Sequence, residues 1–123
     1  MPATRLRFPK SARLSNASDF ALLKREGVSF HGRMVVLSVL KGDSESETRI
    51  GLITSRRVGG AVVRSRVRRR LREIVRALRP QFHRGLRLVI VARSAAAKAE
   101  FSRLREDVLA LAQRSAILAP ACL

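Results

Sequence analysis

The 123-residue chain carries 26 Lys and Arg against 9 Asp and Glu, a formal net charge of +17, and 46% of its residues are hydrophobic. The hydrophobic fraction excludes a disordered basic tail and suits one domain with its own core. The charge favours a polyanionic partner, and no apolar run is long enough for a membrane-spanning helix. The single cysteine, Cys122, excludes a disulfide framework and a cysteine-based metal site.

The first predicted element is a short helix that buries Leu14, Phe20 and Leu23. It is expected to end at Gly27, because glycine is the usual residue just past a helix C-terminus. Residues 28–30 are predicted to be a short extended segment. The stretch before this helix lacks the apolar centre of a signal peptide, so a cytoplasmic location is expected.

Two β-rich segments follow, residues 34–40 (MVVLSVL) and residues 48–54 (TRIGLIT). An acidic loop, GDSESE at residues 42–47, joins them, so we predict that they form an antiparallel hairpin. A third segment at residues 86–92 (LRLVIVA) is the most apolar of the strands. It is therefore expected to lie centrally in the sheet.

A strongly basic segment separates the second and third of these strands. Residues 56–79 (RRVGGAVVRSRVRRRLREIVRALR) contain ten arginines and one acid, Glu73. Their apolar residues recur at helical spacing, which predicts an amphipathic helix from just after Gly59-Gly60 to about Pro80. The apolar stripe comprises Val63, Val67, Leu71, Ile74, Val75 and Leu78. Arginines occupy the opposite face at Arg66, Arg68, Arg69, Arg72, Arg76 and Arg79, with Arg64 and Arg70 at the edges of the stripe.

The type of basic residue narrows the choice of partner. All but four of the 26 basic residues are arginine, whose planar guanidinium pairs with phosphate through two hydrogen bonds and stacks on bases. Cations crowded near a helix N-terminus oppose the helix dipole and repel one another. A bound polyanion would offset that cost, so the segment is predicted to bind nucleic acid.

The last predicted element is a helix over about residues 99–116. One face carries Phe101, Leu104, Val108, Leu111 and Ser115. The residues expected to point away from the protein are Arg103, Glu106, Asp107 and Arg114. The chain is thus predicted to be a single RNA-binding domain over residues 1–123, with flexible ends at residues 1–12 and 118–123.

No catalytic constellation is evident in the sequence. The segment GGAVV precedes a helix but lacks the Lys-Ser/Thr of a phosphate-binding P-loop. Two histidines, His31 and His83, have no partner at metal-ligand spacing. If the protein belongs to an enzyme, the reactive groups are expected to come from another component.

The central segment carries a family resemblance. Residues 51–76 (GLITSRRVGGAVVRSRVRRRLREIVR) closely resemble the signature V-G-N-A-V-x-R-N-R-x-K-R-x-x-R-E of the protein subunit of bacterial ribonuclease P. The matching positions are Val58, Gly59, Ala61, Val62, Arg64, Arg66, Arg69, Arg72 and Glu73, and Arg68 stands where the family has lysine. The resemblance extends over about residues 13–115. Gly60 and Ser65 depart from it, because each stands where the family usually has asparagine.

The resemblance implies an α/β fold: an α+β two-layer sandwich in αβββαβα order, ribosomal-protein-S5-domain-2-like, with a left-handed βαβ crossover. It also implies that a large RNA subunit holds Mg²⁺ and cleaves precursor tRNA endonucleolytically at its 5′ end. The protein is then expected to bind ribonuclease P RNA and precursor tRNA, with no cofactor, metal, membrane or small-molecule substrate of its own.

The resemblance further implies two sets of contact residues. The RNA-binding set is Arg56, Arg57, Arg64, Ser65, Arg66, Arg68, Arg69, Arg72 and Arg76. The cleft for the 5′ leader is Phe20, Lys24, Val36, Ser38 and Phe101. Lys24 and Ser38 stand where relatives often carry aromatic rings, so weaker stacking and more reliance on charge are expected. For Val36 and Phe101, plain core packing is an equally good interpretation.

Two other functions fit part of the sequence. A non-enzymatic RNA-binding protein, such as a small ribosomal protein or an RNA chaperone, would share its size and charge, and only the arginine motif favours ribonuclease P. A DNA-binding helix-turn-helix protein fits poorly, because a strand stands where the helix before the recognition helix is required.

Overall fold

The computed structural model describes residues 17–42 and 47–117, and of residues 17–20 the backbone only. The elements in chain order are α1 (Ala17–Glu26), β1 (Val28–His31), β2 (Val35–Lys41), β3 (Arg49–Thr54), α2 (Ala61–Leu78), the 3-10 turn η1 (Arg79–Gln81), β4 (Leu86–Ala92), the 3-10 segment η2 (Ser94–Lys98) and α3 (Phe101–Arg114). The predicted α+β class and αβββαβα order are confirmed. The two predicted flexible ends, Leu14 and the Phe20 side chain lie outside the described residues.

The four strands form one sheet in the order β1-β2-β4-β3. β1 pairs antiparallel with β2, and β2 with β4, whereas β3 runs parallel to β4. The predicted hairpin of β2 and β3 is wrong, because β4 lies between them: Ile90 faces Leu37 on one side and Leu52 on the other. β4 is apolar on both faces and is buried best with a neighbour at each edge. Its predicted central position is confirmed.

The two faces of the sheet are covered differently. Alternate residues of β2 and β4, such as Leu37 and Leu88, belong to the main core that α2 and α3 complete. The apolar stripe of α2 is nearly inaccessible to solvent at Val67, Leu71, Ile74, Val75 and Leu78. On the opposite face α1 places Leu23 against Val89 in a small second cluster. One face is therefore closed by two helices, whereas within the described ranges the other face is covered by α1 only.

Gly27 ends α1 as the sequence predicts. Its N–H donates a hydrogen bond of 2.8 Å to the carbonyl oxygen of Leu23. A Cβ atom at this position would lie 2.5 Å from the same oxygen, so a side chain would displace the turn into β1. The glycine therefore fixes how closely α1 approaches the sheet.

Asp107 does not point away from the protein, contrary to the sequence-based expectation. Its carboxylate accepts hydrogen bonds from the backbone N–H groups of Arg33, Met34 and Val35 at 3.3, 3.0 and 3.1 Å. α3 crosses the β1–β2 turn at this point, where these amides need an acceptor. A Cβ at Gly32 would lie 2.5 Å from the carboxylate, so a side chain there would displace Asp107 from these amides. Helical periodicity in the sequence cannot predict such a tertiary contact.

In the parts of the chain that the structure describes, no helix combines the length and the apolar character needed to cross a membrane.

Candidate nucleic-acid interface

The entry to α2 depends on two glycines. Gly59 has a φ of 152°, a conformation that residues with a side chain rarely adopt. Gly60 is the N-cap residue, and its carbonyl oxygen accepts the Arg64 N–H at 2.9 Å. In the described part of the chain no side chain caps the helix, and its first turn contains no acidic residue. Arginines therefore meet the positive end of the helix dipole without local compensation.

The exposed side of α2 and the turn before it carry most of the predicted RNA-binding set. Arg56, Arg57, Ser65, Arg66, Arg68 and Arg69 are exposed, whereas Arg64, Arg70, Arg72 and Arg76 are half-buried. The predicted edge positions of Arg64 and Arg70 agree with this. The one acid of α2, Glu73, forms an ion pair of 3.1 Å with Arg76. We call the surface formed by Ser65 and the ten arginines of residues 56–79 the arginine face.

Hydrogen bonds within the protein orient three guanidinium groups. Arg66 donates from Nη2 to the carbonyl oxygen of Ala97 at 3.1 Å, and Arg70 donates from Nη1 to that of Ala99 at 2.9 Å. On the other flank of the helix, Arg68 donates from Nη2 to the Thr54 hydroxyl at 2.8 Å. A guanidinium has five N–H donors, so each retains donors for a ligand while its direction is fixed.

Other arginines of this face have donors without a partner among the described residues. Arg69 makes no hydrogen bond or ion pair within the described part of the chain, although it is exposed at the middle of the face. The Nε atoms of Arg64 and Arg72 are buried and have no acceptor among the described residues. The exposed guanidinium of Arg69 can therefore pair with an external acceptor such as a phosphate oxygen, whereas the two buried Nε atoms are out of reach of one.

Sequence reasoning missed Val62 as a candidate contact. Its side chain is 82% exposed, although valine in an amphipathic helix is normally read as part of the core. Together with Ala61, Ser65, Arg66 and Arg69 it lines a shallow groove. The available signal was its spacing: Val62 precedes Arg66 by one helical turn and Arg69 by two, on the face opposite the apolar stripe.

The other candidate surface is the side of the sheet on which α1 packs. Val36 and Ser38 are half-buried and point to this side, because they alternate with the core residues of β2. The hydroxyl oxygens of Ser38 and Ser29 are 3.0 Å apart, which forms a hydrogen bond between β2 and β1. Lys24 is exposed near the end of α1. We call the surface formed by Lys24, Ser29, Val36 and Ser38 the sheet face.

Phe101 does not join the sheet face. It begins α3, which packs with α2 on the opposite side of the sheet. Its ring is 41% exposed, so it is not a plain core residue either. The backbone of Phe20 lies in α1, and its side chain is outside the described residues. The structure thus places Lys24, Val36 and Ser38 on the same side of the sheet and Phe101 on the other side.

Within the described ranges, no group of three or more His, Cys, Asp and Glu side chains is placed to hold a metal ion.

Comparison with known sequences identifies relatives over most of the chain. A family model described as Ribonuclease P matches residues 8–116. The ribonuclease P protein component of Symbiobacterium thermophilum is 39% identical over 109 residues, which cover 89% of this chain and 95% of that protein. The corresponding protein of Acidothermus cellulolyticus is 40% identical over 100 residues, covering 80% of this chain and 83% of its own.

Solved structures agree with the fold. The RNase P protein from Thermotoga maritima superposes with a TM-score of 0.74 at 28% identity, covering 83% of this chain and 96% of that one. The RNase P protein of Staphylococcus aureus gives a TM-score of 0.81 at 19% identity, covering 89% of this chain and 99% of that one. At that identity the second likeness shows the fold alone.

Proposed function

Because the chain belongs to the ribonuclease P protein family, we propose that its two exposed surfaces contact two different RNAs. The chain acts in tRNA processing as the protein component of the ribonuclease P ribonucleoprotein, and its partner is the ribonuclease P RNA. Of the two RNA-binding functions that the composition allowed, the comparisons favour this one over a ribosomal protein or an RNA chaperone.

The arginine face is the proposed surface for the ribonuclease P RNA. Three of its guanidinium groups are already oriented by hydrogen bonds to Ala97, Ala99 and Thr54. Their binding to phosphates therefore costs less conformational entropy than that of free side chains. Exposed Arg56, Arg57 and Arg69 extend the same positive surface. Such a surface suits a large folded RNA, whose phosphates lie at many positions at once.

The sheet face is the proposed surface for the 5′ leader of precursor tRNA. A single strand can lie along a sheet with its bases against side chains such as Val36 and its phosphates near a cation such as Lys24. Among the described residues α1 alone packs on this side, and Val36 and Ser38 remain partly exposed beside it, so a strand has access to them. The observation that carries the proposal is the placement of the two surfaces on opposite sides of one sheet, where both RNAs can bind together.

We further place the chemical step in the RNA subunit, with its Mg²⁺ ions, and the complex in the cytoplasm. The engagement of three of the acidic side chains supports this division. Glu73 pairs with Arg76, Glu47 pairs with Arg79, and Asp107 accepts three backbone N–H groups. These three carboxylates already have partners within the protein, and within the described ranges no cluster of acidic side chains is placed to hold a metal ion.

The test is cleavage of precursor tRNA by the cognate RNA at low Mg²⁺, with and without the protein. We expect the protein to raise cleavage and to bind leader-bearing tRNA more tightly than mature tRNA in the holoenzyme. Equal affinity for both tRNA forms would contradict the role of the sheet face. Cleavage by highly purified protein free of RNA, unchanged in an Arg69→Ala variant, would contradict the assignment of the chemistry to the RNA.

A further inference from the structure

One apolar side chain stands within the arginine face. Val62 is 82% exposed, more than Val28 at 60%, Phe101 at 41% or Ile53 at 37%, the other large apolar side chains exposed in the described ranges. It contributes almost nothing to the core, and a β-branched residue is less favourable in a helix than alanine. The folded protein alone therefore gains nothing from a valine here.

The surroundings of Val62 form a small platform rather than a pocket. Ala61 and Ser65 are its short neighbours along the groove. On the approach side, a Cβ atom added to Gly60 would meet no atom within 4 Å. Arg66 borders the platform with its guanidinium held by the Ala97 carbonyl, and Arg69 borders it without a protein partner in the described part of the chain.

Such a platform distinguishes between forms of RNA. An RNA duplex presents phosphates and 2′-hydroxyl groups to a protein surface, which would leave the valine facing polar atoms. An unpaired nucleotide presents the flat face of its base, which packs favourably on an apolar side chain, while its phosphates remain available to guanidinium groups. The combination of one exposed valine with two arginines fits the unpaired form.

We propose that Val62 packs against the face of one unpaired nucleobase of the ribonuclease P RNA, whose neighbouring phosphates pair with Arg66 and Arg69. This contact rests on the proposed function of the arginine face and adds to it a preference for RNA structure. Charge alone would give affinity for any RNA, whereas the platform selects a site with an extruded base.

The first experiment measures binding of Val62→Ala, Val62→Thr and Arg69→Ala to the cognate ribonuclease P RNA at several salt concentrations. Alanine is the better helix former, and threonine keeps the shape of valine but adds a hydroxyl. We expect both Val62 variants to bind roughly three- to tenfold more weakly, with an unchanged slope of log K against log salt, because the lost contact is apolar.

The matched control is Val28→Ala, which removes another exposed valine far from α2 and should leave binding unchanged. If Val62→Ala matches this control while Arg69→Ala weakens binding and flattens the slope, the platform is refuted and the arginine face stands. If Arg69→Ala also has no effect, both proposals fail.

The second experiment locates the nucleotide. A photoreactive group is attached to the thiol of a Val62→Cys variant in a Cys122→Ser background, and crosslinks are mapped by primer extension. We expect crosslinks confined to one unpaired position of the RNA, lost on competition with unmodified protein. Crosslinks spread along paired helices would overturn the proposal.

Discussion

The arginine face and the sheet face lie on opposite sides of one sheet and differ in how their side chains are held. On α2, Arg66, Arg68 and Arg70 are fixed by bonds to neighbouring elements. On the sheet face Val36 and Ser38 are short, Lys24 is long and exposed, and Ser38 is bonded only to Ser29 among the described residues. If the proposed function holds, affinity is built from oriented charge on α2, whereas discrimination of the leader depends on a few individual side chains of the sheet face.

The largest effect is expected on the arginine face. The double variant Arg66→Ala/Arg69→Ala should bind the ribonuclease P RNA roughly a hundredfold more weakly, because each lost phosphate contact removes a strong charge-assisted bond. The slope of log K against log salt should flatten by about 1.4–1.8 in total, at 0.7–0.9 per contact. Titration of labelled RNA at four salt concentrations measures both quantities.

The control for this variant is Arg103→Ala/Arg105→Ala, which removes the same charge from exposed positions of α3. It should reduce affinity only slightly. An equal loss in both double variants would mean that net charge, and not the arginine face, determines binding.

Removal of the Asp107 contact to the β1–β2 turn tests whether the sheet face can be disturbed without affecting the arginine face. Asp107→Asn should lower the free energy of unfolding by about 2 kcal/mol, since three backbone N–H groups lose a charged acceptor. Glu106→Gln, at its exposed neighbour, should leave stability unchanged. Urea unfolding at neutral pH measures both. Because the contact holds the β1–β2 turn, we expect the folded variant to lose leader discrimination while its affinity for the ribonuclease P RNA persists.

The sequence predicted the features that depend on local pattern and missed those that depend on tertiary contacts. The extent of α2 and the end of α1 at Gly27 follow from periodicity and glycine chemistry. The pairing of β2 and β3 was wrong, because β4, which is distant from them in sequence, lies between them and pairs with both. The contact of Asp107 was missed because the β1–β2 turn lies next to α3 only in the folded chain. Val62 could have been found from its helical spacing to Arg66 and Arg69, but its exposure is visible only in the structure.

An aromatic ring added first to the sheet face and then to the arginine face would test which of the two surfaces binds the leader. Ser38→Tyr should tighten binding of leader-bearing tRNA by the holoenzyme about three- to tenfold, since a stacked base contributes about 1–3 kcal/mol and part is spent on ordering the ring. Affinity for mature tRNA should not change. The matched variant Ser65→Tyr places the ring on the arginine face and should not favour the leader-bearing form. If Ser65→Tyr gave the same preference, the leader would not lie on the sheet face.

The smallest expected effect tests whether orientation of the arginines matters apart from their charge. Thr54 is 7% exposed at the end of β3, and its hydroxyl accepts the hydrogen bond from Arg68. Thr54→Val keeps shape and charge but removes the acceptor, so Arg68 must be ordered when the RNA binds. We expect affinity for the ribonuclease P RNA to fall about two- to fivefold, equivalent to about 0.4–1 kcal/mol, with the salt slope unchanged.

Arg68→Ala should instead lower both affinity and slope, and adding Thr54→Val to it should cause no further loss. The two losses would then be non-additive, as expected for residues that act through one contact. Full additivity in this double-mutant cycle would show that Thr54 serves only the fold. The guanidinium groups of α2 would then bind RNA as mobile charges, and the difference between the two surfaces would be one of charge rather than of order.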